Sequence, residues 1–126
     1  MPNTTVYSPH REHLMPDTHI ALGLWPIAGI TTVGVSANDA DRTVIAAIES
    51  GITTFDTAFS YGYSGESDQL LGKRIKGQRE KYTVIGKVGQ RWSDNRERLV
   101  NGSRQSLITD AETSLRRMNL DYFDLL

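Results

Sequence analysis

Three side chains with complementary acid–base chemistry, Asp56, Tyr61 and Lys87, occur at related places in the sequence. Asp56 follows the run Ile52–Phe55, whose β-branched and aromatic residues are typical of a buried strand. Tyr61 lies in the loop that follows, beside Gly62, and Lys87 comes after a second apolar run. Because the carboxyl ends of parallel strands meet at one edge of a sheet, we expect the three side chains to share a pocket.

Together these groups could donate a proton. A free phenol titrates near pKa ~10, which is too high for efficient donation at neutral pH. A neighbouring ammonium would lower the pKa of Tyr61, and a carboxylate would keep Lys87 charged and oriented. Such a tyrosine can protonate a carbonyl oxygen while hydride arrives at the carbon. Each residue also has an ordinary structural explanation, because an aspartate often caps the turn after a strand and a loop tyrosine or lysine often faces solvent.

The composition narrows the classes of protein to which the chain can belong. The 126 residues carry a net charge of −1 with acids and bases interspersed, which argues against a nucleic-acid partner. Cysteine is absent, so neither disulfides nor thiolate chemistry is expected. The N-terminus lacks the order of a signal peptide, and no apolar run approaches the ~20 residues of a membrane span. The expected location is therefore the cytoplasm, with no membrane partner.

Residues 1–19 show no hydrophobic periodicity and are expected to form an irregular N-terminal arm. They contain His10 and His13, whose spacing could bind a metal ion if the segment were helical. Pro9 and Pro16 flank the pair, and no third ligand is evident. No metal site is therefore expected.

From residue 20 onward, hydrophobic periodicity predicts strands and helices in alternation. The predicted strands are Ile20–Leu24, Ile52–Phe55, Tyr82–Ile85 and Tyr122–Leu126. Helices are predicted from a cap at Ser36 or Asn38 to Gly51, from Gly65 to Ile75, and from near Ser103 to Asn119, with a long polar loop over 89–102. This order requires a parallel sheet, either open and doubly wound or closed in a (β/α)8 barrel. A complete barrel needs about 250 residues, so the chain would supply about half of one.

Five short motifs resemble the aldo-keto reductase family and follow the family's order: residues 23–29, 55–62, 65–72, 84–89 and 114–125. The resemblance extends from about Ile20 to Leu126 and covers the N-terminal half of such a protein. It implies an α/β fold, a partial (β/α)8 TIM barrel over residues 20–126 that stops within its fourth strand. Members of the family are oxidoreductases that reduce aldehydes and ketones with NADPH, less often with NADH, so a small carbonyl compound is the implied substrate.

The resemblance also implies roles for individual residues. Tyr61 would be the general acid, Lys87 would lower its pKa, and Asp56 would pair with Lys87. The implied cofactor-binding residues, close to the nicotinamide ribose, are Gly23, Leu24, Trp25 and Asp56.

Two features depart from the family pattern. Gly86 stands where many members carry Thr or Ser, which is expected to loosen the backbone slightly. The family's fourth catalytic residue, a histidine, would fall just beyond Leu126, and later strands hold most of the cofactor. The 126 residues alone are thus expected to be inactive and to self-associate through open sheet edges at Ile20–Leu24 and Tyr122–Leu126.

Two other interpretations stay open at this point. The first is a non-catalytic binding or accessory protein related to the family, although the presence of Asp56, Tyr61 and Lys87 argues against it. The second is a complete small flavodoxin-like domain, although the passage after the first strand lacks a convincing phosphate-binding loop. The sequence specifies neither the substrate nor the choice between NADPH and NADH, because the loops that decide both belong largely to the second half of such a barrel.

Overall fold

A three-stranded parallel sheet lies at the centre of the protein in a computed structural model, which describes residues 20–126. Its strands run in chain order: β1 is Ala21–Gly23, β2 is Thr54–Asp56 and β3 is Thr83–Ile85. The register places Gly23 beside Asp56, and Asp56 beside Ile85. The carboxyl ends of all three strands therefore lie at one edge of the sheet.

Three helices cover the connections: α1 is Ala37–Glu49, α2 is Glu66–Ile75 and α3 is Arg104–Met118. Ser36, rather than Asn38, caps α1 in a reciprocal capping box with Asp39. Asn119 ends α3 as predicted, in the left-handed conformation with a φ of 56°. Among the described helices, none is long and apolar enough to cross a membrane.

The sheet and the helices enclose one hydrophobic core. Its fully buried apolar side chains are Leu24, Val44, Phe55, Leu71, Ile75, Val84, Met118 and Phe123. Helices α2 and α3 approach closely at Gly72, where an added Cβ would overlap the backbone of Met118. This approach explains a glycine inside α2, where it costs roughly 1 kcal/mol relative to alanine.

The polar stretch 89–102, predicted as a loop, contains a β-hairpin, so that prediction is wrong. In the hairpin, β4 (Gln90–Trp92) pairs antiparallel with β5 (Arg98–Val100). Its turn is closed by a hydrogen bond from the Ser93 N–H to the Glu97 carbonyl, at 2.9 Å. None of the strand residues is fully buried, and so the hairpin has no apolar face that alternation could reveal in the sequence.

The predicted fourth strand, Tyr122–Leu126, is reduced to a single parallel bridge between Leu125 and Ile85. The Asp124 N–H donates to the Val84 carbonyl at 3.0 Å, while the Asp124 carboxylate accepts from the Val84 N–H at 2.8 Å. The Val84 N–H thus donates to a side chain, whereas in a regular parallel ladder it would donate to a backbone carbonyl of the neighbouring strand. The pairing is irregular for this reason.

Two predictions, on the free edge of the sheet and on the N-terminal arm, are not tested by the structure. In the sheet, β1 pairs with β2 alone, and Ile20 beside it is 67% exposed, but self-association at this edge stays a prediction. The arm of residues 1–19, with His10 and His13, lies outside the described residues. Between residues 20 and 126, no group of three or more His, Asp or Glu side chains is placed to hold a metal ion.

Candidate active site

The loops that follow β2 and β3 stay paired beyond the strands and bring Asp56 and Lys87 together. The Thr57 N–H donates to the Ile85 carbonyl at 2.9 Å, and the Phe59 N–H donates to the Lys87 carbonyl at 3.0 Å. Lys87 Nζ forms an ion pair with Asp56 Oδ1 and a longer hydrogen bond, of 3.3 Å, to the Thr57 carbonyl. The side chains of Lys87 and Asp56 are 48% and 29% exposed, so the ion pair is open to solvent.

Tyr61 lies against this ion pair. Its N–H closes a turn on the Ala58 carbonyl at 3.0 Å, which returns the chain to the edge of the sheet. Lys87 Nζ lies 5.1 Å from the centroid of the Tyr61 ring, and the Trp25 ring packs against the same phenol with centroids 5.2 Å apart. The structure thus brings together the three residues for which catalytic roles were predicted.

Tyr61 and Lys87 line an open cavity of about 490 Å³. Its walls are formed by Trp25, Ala58, Ser60, Tyr61, Lys87, Val88, Gln90 and Arg98. Gln90 and Arg98 belong to the hairpin, which sequence reasoning did not predict, so their approach to the tyrosine was not expected. A cavity of this size suits a small organic molecule.

The pKa of Tyr61 departs from the expectation. Burial raises the pKa of the Tyr61 phenol above its usual value, whereas the neighbouring ammonium was expected to lower it. Burial also lowers the pKa of Lys87. Desolvation of the phenol is the cause of its raised pKa.

The residues predicted to contact a cofactor differ in what they present. Gly23 lies beside Asp56, so that an added Cβ would stand 3.8 Å from Asp56 Oδ2. Leu24 donates its N–H to the Asp56 carbonyl at 2.9 Å, but its side chain is fully buried in the core. Trp25 lines the cavity. The first two therefore offer backbone to the site, and Trp25 offers a side chain.

A buried carboxylate, Asp68, anchors the start of the loop after β2. It accepts hydrogen bonds from Thr57 Oγ1 at 2.7 Å and from Ser114 Oγ at 2.5 Å. Arg117 Nη1 lies 3.5 Å from Asp68 Oδ2 and donates to the Phe59 carbonyl at 2.9 Å. Burial raises the pKa of Asp68, and the three donors partly offset that rise. Helices α2 and α3 thereby hold the chain that leads to Tyr61.

Sequence reasoning missed this network, although a signal exists. Ser106, Asp110 and Ser114 recur every four residues along α3, and all three are buried. Polar residues that repeat at helical spacing beside an apolar face indicate a stripe that hydrogen-bonds to other elements, because buried polar groups need partners.

The hairpin is fastened both to α3 and to the Tyr61 loop. Arg91 on β4 binds Asp110 at 2.5 Å. On the other side, Trp92 Nε1 donates to the Ser60 carbonyl at 2.8 Å, and its ring meets Tyr63 edge-on with centroids 5.3 Å apart. The hairpin is therefore held as one wall of the cavity.

Gly86 is more important than the sequence suggested. An added Cβ would stand 2.5 Å from Cε1 of Phe123, whose ring is fully buried. A Thr or Ser at this position would require the ring to move. The departure at Gly86 is thus matched to the position of Phe123 and is not a minor loosening of the backbone.

Comparison with known proteins agrees with the parallel sheet, its helical crossovers and this site. The sequence model of the aldo/keto reductase family matches residues 19–126, and the chain belongs to this family. It is 34% identical to aldo-keto reductase YhdN of Bacillus subtilis (strain 168) over 110 residues, which cover 86% of this chain and 33% of YhdN.

Solved structures agree. The fold matches aldo-keto reductase AKR11C1 of Bacillus halodurans (holo form) with a TM-score of 0.70 and 28% identity, over 82% of this chain and 33% of that one. It also matches an aldo-keto reductase of Klebsiella pneumoniae in complex with NADPH, with a TM-score of 0.60 and 24% identity, over 82% of this chain and 32% of that one.

The chain spans about a third of the length of YhdN and of probable aldo-keto reductase 1 of Glycine max. The prediction of a partial barrel is confirmed, since the matched proteins share the fold and the described part has a parallel sheet with three helices. Family membership also excludes the flavodoxin-like interpretation.

Proposed function

We propose that this chain carries the acid–base part of the active site of an oxidoreductase that reduces aldehyde or ketone carbonyls. The observation that carries the proposal is the Lys87–Asp56 ion pair beside the ring of Tyr61, at the carboxyl edge of the sheet, where Lys87 and Tyr61 line one open cavity. Membership of the aldo/keto reductase family supports this class of reaction.

In this proposal, Tyr61 donates a proton to the carbonyl oxygen, and Lys87 stabilises the phenolate that results. The raised pKa keeps the phenol protonated at neutral pH. Donation then depends on the ammonium, whose attraction grows as negative charge develops on the phenol oxygen in the transition state. Asp56 keeps Lys87 charged and oriented, which makes it a positioning residue for the tyrosine.

We propose NADPH as the cofactor, with NADH as the alternative; it supplies hydride. The residues present fit part of it. Lys87 occupies Asp56 Oδ1, while Oδ2 accepts no hydrogen bond from residues 20–126 and lies beside Gly23, where no side chain blocks it. Asp56 Oδ2 can accept from a ribose hydroxyl, and Trp25 offers an aromatic wall in the cavity, against the Tyr61 ring.

A second candidate is a non-catalytic binding or accessory role for the chain. One observation favours it: the raised pKa of Tyr61, because a less acidic phenol is a weaker proton donor. We expect the 126 residues, tested alone, to show no reductase activity, because positioning of both reactants supplies much of the rate enhancement.

The decisive experiment completes the barrel. Residues 20–126 are fused to the part of YhdN that follows its matched segment, and NADPH oxidation is followed with a small aldehyde. We expect the chimera to be active and Tyr61→Phe to lower kcat by roughly 10²–10⁴-fold, the contribution of a general acid.

Tyr63→Phe is the matched control, because Tyr63 lies in the same loop but not in the cavity wall. It should leave kcat close to that of the parent chimera. An active chimera in which Tyr61→Phe retains parental turnover would show that Tyr61 is not the acid. A well-folded chimera that binds NADPH but is inactive would favour the accessory role.

A further inference from the structure

The two arginines of the hairpin face opposite ways. Along a strand, successive side chains alternate between faces, and residues directly opposite in an antiparallel pair share a face. Arg98 is paired with Trp92, so it lies on the face that contacts Ser60 in the Tyr61 loop. Arg91 lies on the other face, towards α3.

Their charges are also compensated differently. Arg91 donates to the buried Asp110 at 2.5 Å and to Ser106 Oγ at 2.7 Å. Arg98 lines the cavity, and no carboxylate of residues 20–126 lies within 4.0 Å of it. The other cation of the cavity wall, Lys87, is paired with Asp56. Arg98 therefore gives the cavity an uncompensated positive charge.

We propose that Arg98, with Gln90 beside it on the cavity wall, is a subsite for an anionic group of the substrate, and that the preferred substrates are small carbonyl compounds that carry a carboxylate. This inference rests on the proposed function, since it assigns the anion to the molecule reduced at Tyr61. A guanidinium binds a carboxylate through two parallel hydrogen bonds, and the Gln90 amide adds a neutral donor. A cavity of about 490 Å³ has room for both ends of such a molecule.

The test measures binding, so it does not need turnover. The 126-residue chain is titrated with levulinate, a keto acid, and with its uncharged amide, levulinamide, while backbone amide NMR shifts are followed. We expect levulinate to bind about tenfold more tightly, as expected for a charge-assisted hydrogen bond in a partly exposed site, and to weaken as salt is added.

Arg98→Gln should bring the affinity for levulinate down to that for levulinamide, and Arg98→Lys should recover part of it. Arg104→Gln is the control, because Arg104 is an exposed arginine outside the cavity wall, and it should leave both affinities unchanged. Equal binding of the two ligands by the native chain, or equal effects of the two arginine substitutions, would overturn the subsite.

Inorganic pyrophosphate, a probe for cofactor phosphates, separates the other source of an anion. If Arg98→Gln weakens pyrophosphate binding more than levulinate binding, the assignment to substrate is wrong. The two proposals fail separately. An active chimera with no preference for the keto acid rejects the subsite alone, whereas Arg98-dependent levulinate binding with an inactive, folded chimera rejects the reductase alone.

Discussion

Two aspartates near the loop after β2 hold the same charge in different surroundings. Asp56 has a side chain that is 29% exposed, and it binds Lys87, whose own side chain is 48% exposed. Asp68 has no exposed surface, and it is held by Thr57, Ser114 and Arg117. The first pairs with a lysine in the wall of an open cavity, and the second ties two helices to the loop.

The difference in exposure distinguishes a pair proposed to act in catalysis from a carboxylate that stabilises the fold. An exposed ion pair contributes little to stability, typically about 0–1 kcal/mol, so the geometry of Asp56 and Lys87 is explained better by what they do to Tyr61. A buried carboxylate is costly unless it is fully hydrogen-bonded, and once bonded it is costly to disrupt. We therefore expect substitutions at the first pair to change activity and substitutions at the second site to change stability.

The largest expected effect is that of Lys87→Met in the chimera. Without the ammonium, nothing stabilises the Tyr61 phenolate, and kcat should fall by roughly 10²–10⁴-fold, as for loss of the acid itself. Unfolding of the 126-residue chain by urea should change by no more than about 0.5 kcal/mol, as for other exposed positions. Lys76→Met, at an exposed lysine just after α2, is the control for both measurements.

The comparison would break if Lys87→Met unfolded the chain at markedly lower urea concentration. That result would make the exposed ion pair a structural element. The lost turnover would then say nothing about proton donation.

The next effect is that of Asp68→Ala on stability. The change removes the carboxylate that accepts from two buried hydroxyls and that pairs with Arg117, and we expect a loss of about 2–4 kcal/mol in the free energy of unfolding. Asp68→Asn should lose less, because the amide oxygen still accepts. Asp121→Ala, at an exposed aspartate, is the matched control, and a loss at Asp68 no larger than at Asp121 would contradict the supporting role.

The site was partly predictable because the carboxyl ends of buried strands can be located in the sequence. Asp56 and Lys87 follow apolar runs, and parallel strands bring such positions to one edge; Tyr61 is close in sequence to the first. The direction in which the pKa of Tyr61 is shifted was not predictable in this way. It depends on how much water the fold removes from the phenol, and the spacing of residues in the sequence does not specify that quantity.

The rest of the fold shows the same limit. The helices follow from caps such as Ser36 and Ser103 and from apolar spacing. The hairpin was missed because its order comes from contacts with distant partners, such as Arg91 with Asp110, and not from its own alternation. Asp68 fits the start of a helix equally well whether it faces solvent or Ser114, so only packing decides its role.

The smallest expected effect is that of Trp92→Phe, which tests whether the hairpin supports the loop that carries Tyr61. Phenylalanine keeps a ring beside Tyr63 but loses the hydrogen bond from Nε1 to the Ser60 carbonyl. We expect a loss of about 0.5–1.5 kcal/mol in unfolding free energy and faster hydrogen exchange at the Tyr61 amide, which closes the turn on Ala58. Leu99→Ala, at an exposed hairpin residue outside the cavity wall, is the control and should leave hydrogen exchange at the Tyr61 amide unchanged. If both variants exchange alike, the hairpin is only a wall, and the support of Tyr61 comes from Asp68 and Arg117 alone.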